Sequence, residues 1–222
     1  MKDNKDRINV YKVIYDRIIS GEYPSGYRLI EAELARELDV SRTPVRIAIE
    51  RLVSEGLARH VPNKGATVRQ LSFDDVIGLY QIREVNEGLA ARLACRNADE
   101  HDAEALNRII SEMEATDDID NYYRLCSEIH KYIFAMTKNE FLEEFIEKIY
   151  AITSRFHFAV LYMPHRTNSS KEEHKRIVEA ILSKDEDRAE MTMKEHIRHN
   201  ASFYQDRNIR SSLKALSNLN IE

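Results

Sequence analysis

Only two residues, Asp39 and Val40, separate a helical pattern over residues 30–38 from a second one that runs from Ser41 to Gly56, and this brief link is the tightest constraint on the fold. In the first pattern Leu34, Ala35 and Leu38 form the apolar side. In the second, Val45, Ala48, Ile49 and Leu52 recur at helical spacing, while Thr43, Arg46, Ile47 and Glu50 lie opposite. Ser41 has the chemistry of an N-cap, and Pro44 falls in the first turn, where a missing N–H is harmless because those amides have no intrahelical partner. Gly56 ends the helix. Two short helices on so tight a turn make a helix-turn-helix.

The flanking sequence fits that reading. Val10, Val13, Ile14, Ile18 and Ile19 give an amphipathic helix over residues 9–20, and the turn residues from Gly21 to Gly26 stop it. Residues 57–61 and 65–69 read as two short strands around Pro62, a hairpin whose tip carries Lys64 and Gly65. Arg42 and Arg46 can fork onto guanine edges or phosphates, Ser41 and Thr43 can bond phosphate oxygens near the positive helix start, and Lys64 and Gly65 can press against a backbone or into a minor groove. The same pattern also fits a surface helix of any small bundle.

Charge distribution bears on the choice. The chain is acidic overall, at −5, yet residues 1–69 hold 13 Lys/Arg against 10 Asp/Glu and the remainder 20 against 28. The basic excess sits with the candidate reading helix, and a dimer would double it. With 222 residues, two domains are expected, residues 1–70 and 71–222. Six Gly and four Pro leave few breaks and favour long helices. No apolar run approaches the ~20 residues that span a bilayer, the polar start is no signal peptide, and Cys95 and Cys126 are too few for a disulfide framework, so a cytoplasmic protein is expected.

After residue 71, helical patterns cover residues 72–98, 100–115, 119–137, 140–161, 171–183 and 186–205, with a further one near 211–219. The expected fold is therefore mostly α, a winged helix-turn-helix followed by an all-helical bundle of six to seven helices. Three of these helices each aim one imidazole along an apolar stripe: His130 with Tyr122, Cys126, Ile129 and Ile133; His174 with Ile177, Val178 and Ile181; His196 with Ala189, Met193 and Asn200. One inward histidine is an ordinary core residue. Three would each need a hydrogen-bond partner, whereas one shared divalent cation satisfies them together. Arg83 and Asn86 are expected on a side shared with Leu79, Ile82, Ala90 and Leu93; an inward Arg demands an anion, supplied either by Glu87 one turn on or by a bound organic acid.

The run from Gly21 to Leu29, then Leu34-Ala35, the segment Val40 to Arg46 (VSRTPVR), Leu52, Glu55 to Leu57 and Gly65 resemble the winged helix-turn-helix of GntR-family transcription regulators. That resemblance implies operator contacts from Ser41, Arg42, Thr43 and Arg46, with Lys64 and Gly65 contributing from the wing. Some members carry Arg at the position of Ala32 and Glu at that of Ile47. Arg83 with Glu87, Ile129-His130, Glu173-His174 with Ala180-Ile181, and Glu195-His196 resemble the effector domain of the FadR-type branch, called FCD. There the matching histidines bind a divalent metal, with Asp or Asn one turn before the first, where this chain has Cys126. A thiolate at that place would favour zinc over nickel or manganese; the alternative is a small buried apolar residue beside three imidazoles and water.

Two classes of function compete. The resemblance implies a ligand-responsive regulator, in the commoner behaviour a repressor, that binds a near-palindromic operator as a homodimer and senses a small carboxylate at Arg83, Asn86 and the metal. A metal sensor without an organic effector is a variant of it. The other class is a metalloenzyme in which a tri-histidine cation activates water. Against it, no His-Glu-x-x-His spacing and no Gly-rich phosphate loop occur, and the first third would have no task.

Overall fold

The structure, a computed structural model, describes residues 9–62, 65–161, 163, 165–206 and 209–210, and for residues 154, 155 and 157–159 the backbone alone. The chain divides between Ser72 and Phe73 into two compact units.

The first unit runs α1 (Val10–Ile19), β1 (Arg28–Leu29), α2 (Glu31–Glu37), α3 (Arg42–Ser54), β2 (Ala58–Val61) and β3 (Gly65–Val68). The Asn9 side chain accepts from the Lys12 amide and starts α1. The turn between α2 and α3 is made by Asp39 at φ 51°, a left-handed conformation that a short polar side chain tolerates. It lets the Val40 amide donate to the Ala35 carbonyl at 3.0 Å, so α3 leaves at once in a new direction.

Val45, Ala48, Ile49 and Leu52 of α3 are at most 4% exposed, against Ile14, Ile18, Leu34 and Leu57 in one core. Burying each of the larger chains is worth about 1.5–3 kcal/mol. Ser41, Arg42, Thr43, Arg46, Ile47 and Glu50 are exposed on the other side. The helical period therefore predicted both faces.

Ser41 corrects one detail. It occupies the N-cap position in extended conformation, but its hydroxyl makes no capping bond. Pro44 stands at the third helical position, where a cap would find its N–H, and proline has none.

The sheet is antiparallel with strand order β1-β3-β2; Arg28 pairs with Thr67, and Ala58 to Val61 pair with Val68 back to Gly65. The wing hairpin was expected. Strand β1 was not, since two residues become a strand only when β3 offers its edge.

The second unit consists of α4 (Phe73–Asn97), α5 (Glu100–Ala115), α6 (Ile119–Met136), α7 (Glu140–Leu161), α8 (Arg166–Leu182) and α9 (Glu186–Gln205). Aspartates cap three of them: Asp99 in a reciprocal capping box with Asp102, Asp118 on the Asn121 amide and Asp185 on the Arg188 amide. Helix α4 lies against α6, α7, α8 and α9. The segment near 211–219, expected to be helical, lies outside the described residues. Among the described residues no helix is long and apolar enough to cross a membrane.

Two expectations for this unit need correction. The core side of α4 is Val76, Tyr80, Arg83, Glu87, Ala90, Ala91 and Ala94, whereas Ile82 is 41% exposed. Arg83 and Ala90 are buried as expected, and Glu87 is the anion that Arg83 meets; the face is turned, with Ile82 outside and Leu79, Asn86 and Leu93 half-buried, because the Arg83–Glu87 pair takes the centre of the inner side. Helix α8 begins at Arg166 and not near residue 171, entered from His165 at φ 60°. The polar stretch Thr167 to Ser170 masked that first turn.

Candidate functional site

In the first unit Ser41, Arg42, Thr43 and Arg46, four of the residues expected to touch DNA, lie on the exposed side of α3. Ser41, Arg42 and Thr43 open α3 and Arg46 follows one turn later, all exposed. Arg42 reaches Glu31 of α2 at 3.2 Å, a solvent-screened pair that holds the guanidinium at little energetic cost. Glu50 meets His60 of β2 at 3.2 Å and ties reading helix to wing strand. Gly65 sits at φ 74° with nothing within 4 Å of an added Cβ, so its backbone is open to close approach. Lys64 lies outside the described residues.

The second unit brings the three histidines together. His130 of α6, His174 of α8 and His196 of α9 are each 1% exposed, and each offers a ligating atom within 4.8 Å of the others. The Nε2 atoms of His130 and His174 are 3.3 Å apart. Two imidazole nitrogens bound tetrahedrally at 2.0–2.1 Å from one ion would stand about 3.3–3.4 Å apart.

What lies behind each ring decides its tautomer. His174 donates from Nδ1 to the Ser170 carbonyl at 2.8 Å, and His196 donates from Nδ1 to Glu173 Oε2 at 2.6 Å. His130 Nδ1 is 2.7 Å from Glu87 Oε2, close but not aligned as a hydrogen bond, which leaves both atoms without a directional partner. With protons on the outer nitrogens, the inner ones carry lone pairs. Across the 3.3 Å contact the His174 lone pair faces His130 Nε2, which meets it either with its own N–H or, with the proton on Nδ1, across a shared positive charge. Burial, and then the neighbouring rings, push His174 well below its ordinary pKa; burial and His130 do the same to His196. Protons are therefore disfavoured there, and neutral imidazoles are what a divalent cation takes.

Each of two carboxylates behind the rings is matched by a buried Arg. Arg83 Nε meets Glu87 Oε1 at 2.5 Å and its Nη1 donates to Thr153 Oγ1 at 3.2 Å, with the Tyr80 and Tyr150 rings on either hand. Burial opposes the Glu87 charge, but Arg83 and then His130 outweigh it and hold the carboxyl at about 2. Burial likewise opposes the Arg83 charge, and Glu87 keeps it above its usual value. Arg166 forks onto both oxygens of Glu173 at 3.1 and 2.9 Å and donates from Nη2 to Asn200 Oδ1 at 2.9 Å. The Asn200 amide Nδ2 stands 3.2 Å from His196 Nε2.

Other expected residues fall differently. Cys126 is buried one turn before His130 but is outside the set of mutually close donors, and burial pushes its thiol up to about 12. Asn86 is half-buried and turns its amide back to the Ile82 carbonyl at 2.8 Å. Sequence reasoning passed over Arg166 because it precedes the expected start of α8. It also left His199 aside, although His199 Nδ1 reaches Glu173 Oε1 at 2.5 Å. Its spacing of three from His196 was the available signal.

Residues 7–68 match the family described as bacterial regulatory proteins, gntR family, and residues 78–199 match the FCD domain. The Nta operon transcriptional regulator of Aminobacter aminovorans is 30% identical over 181 residues, which cover 81% of this chain and 85% of that protein. The HTH-type transcriptional repressor GlaR of Escherichia coli strain K12 is 26% identical over 201 residues, 84% of this chain and 90% of that protein. In fold the chain is similar to Escherichia coli McbR/YncC, with a TM-score of 0.75 at 22% identity over 88% of this chain and 95% of that one.

Proposed function

Because this chain belongs to the GntR family of bacterial regulatory proteins and carries an FCD domain, it is a DNA-binding transcription regulator, and we propose that it is a cytoplasmic homodimeric repressor whose grip on a near-palindromic operator responds to a cation and a small carboxylate. The relatives are regulators and not enzymes. In this reading residues 1–70 form the reading head and residues 71–222 the effector and dimerisation part. Two α3 helices enter successive major grooves about 34 Å apart. Arg42 and Arg46 read base edges, Ser41 and Thr43 hold phosphates, and Lys64 and Gly65 add wing contacts. Ile82, Val85 and Leu89, exposed along α4, offer an apolar stripe for the second subunit.

The convergence of His130, His174 and His196, each with its outer nitrogen beside a carbonyl or carboxylate, is the observation that carries the cation reading. These residues would hold a divalent ion, and all-nitrogen donors suit zinc, with nickel or manganese as alternatives. Bound there, the ion supplies positive charge that draws a carboxylate. No protein carboxylate belongs to the donor set among the described residues, so the guest provides the anion. In this reading Arg83 and Asn86 face the same guest. Cys126, one turn before His130 but outside the mutually close donors, is taken as a neighbour of the site and not as a ligand. Binding changes repression only in so far as the guest prefers one arrangement of the reading heads.

The test combines metal analysis with operator binding. Zinc should bind one ion per chain and His174→Ala should lose it; full occupancy in that variant removes His174 from the ligand set. Fluorescence anisotropy on DNA upstream of the protein's own gene, with zinc alone and with small carboxylates, then separates a metal sensor from an effector pocket. Failure to bind any such fragment would refute the regulator as drawn.

A further inference from the structure

Glu173 is the most heavily used buried carboxylate of the bundle. At 6% exposure it takes both arms of Arg166, the His196 Nδ1 proton on Oε2 and the His199 Nδ1 proton on Oε1. Arg166 is 1% exposed and is fixed in turn by Asn200 and Ser169. His199, with its side chain 44% exposed, is the most open group of this cluster.

A buried ion pair of this quality does not by itself argue for stability, since desolvation consumes most of the attraction. Its geometry argues for placement. A rotatable imidazole with a free Nδ1 could present either nitrogen inward. A carboxylate locked by a bidentate fork accepts only from Nδ1, so the other nitrogen is left as a lone pair.

We propose that Arg166 and Glu173 are positioning residues for the cation site: Arg166 clamps the Glu173 carboxylate, and the carboxylate holds His196 in the Nδ1–H tautomer, so that Nε2 carries the lone pair that an ion would take over from the Asn200 amide. His174 is set by a backbone carbonyl and needs no such device. His130 has Glu87 close but unaligned. His196 is thus held at both nitrogens by side chains that Arg166 fixes: Glu173 accepts from Nδ1, and the Asn200 amide, whose Oδ1 accepts from Arg166, stands 3.2 Å from Nε2. The inference rests on the cation reading, but its first consequence concerns the metal-free protein.

The test uses the full chain labelled with 15N-histidine. In metal-free wild-type protein, long-range ring correlation spectra should show His196 as the Nδ1–H tautomer; an Nε2–H tautomer overturns the proposal without any variant. Glu173→Gln keeps the length and loses the charge. It should mix the His196 tautomers, leave the His174 ring unchanged and weaken zinc binding roughly ten- to a hundred-fold. Arg166→Lys keeps the charge and loses the fork, and should weaken zinc in the same direction by less. If folded Glu173→Gln binds zinc as wild type does with His196 unaltered, the positioning role is gone. If wild-type protein binds no zinc at all, the cation reading fails, while the tautomer measurement still decides whether Glu173 sets the ring.

Discussion

Acidification of the zinc-free protein should destabilise it steeply below pH 6.5. His174 and His196 are fully buried, and burial holds both well below 6.5 in the folded chain. Unfolded, each returns to about 6.5. Below that pH the unfolded chain therefore binds protons that the folded chain refuses, so stability falls as pH falls and is unaffected above it. Each ring contributes up to about 1.4 kcal/mol per pH unit, so the loss between pH 7.5 and 5.5 is roughly 3 kcal/mol if both stay neutral. That is a large share of the ~5–15 kcal/mol that ordinary domains possess. Glu87 adds a separate, lower window: its carboxyl, held near 2, stabilises the fold above the ordinary range near 4.5, and that contribution disappears as pH falls from there towards 2. Urea titrations of chelator-treated protein at pH 7.5, 6.5 and 5.5, followed by far-UV circular dichroism, measure the effect. Adding zinc at pH 7.5 should raise stability by about 4 kcal/mol at a thousand times its Kd. A free energy of unfolding that stays flat from pH 7.5 to 5.5 would show that these imidazoles are not held neutral, and the argument for a lone-pair cluster would go with it.

Arg46→Ala should cost specific operator affinity about ten- to a hundred-fold, the value of a bidentate base contact, with the bundle still folded by circular dichroism; unchanged affinity removes Arg46 from the reading surface. Leu52→Ala should destabilise the first unit by about 2–5 kcal/mol, because Leu52 is fully buried and its loss leaves a cavity; the check is the urea midpoint. Asp39→Val, which puts a β-branched residue at φ 51°, should cost about 1–2 kcal/mol in the same assay, and a neutral result would deny the left-handed turn.

Much of the first unit was legible because its information is local. Helical period alone separated Val45, Ala48, Ile49 and Leu52 from Thr43, Arg46, Ile47 and Glu50, and the Asp39-Val40 link left little choice of connection. In the bundle, the inward direction of His130, His174 and His196 followed from the same period on three separate helices. The resemblance pointed to the cation they would share.

The remainder depended on the partners that each group meets once the chain is folded. Strand β1 exists because β3 pairs with it, and the inner face of α4 is polar because Glu87 serves Arg83 and sits beside His130. Arg166 is buried because Glu173 and Asn200 of different helices meet it. Periodicity ranks residues by apolarity; it set Arg83 among apolar neighbours but gave no reason to bury Arg166 or Glu173. Only the folded chain supplies the countercharge that lets such a side chain stay inside.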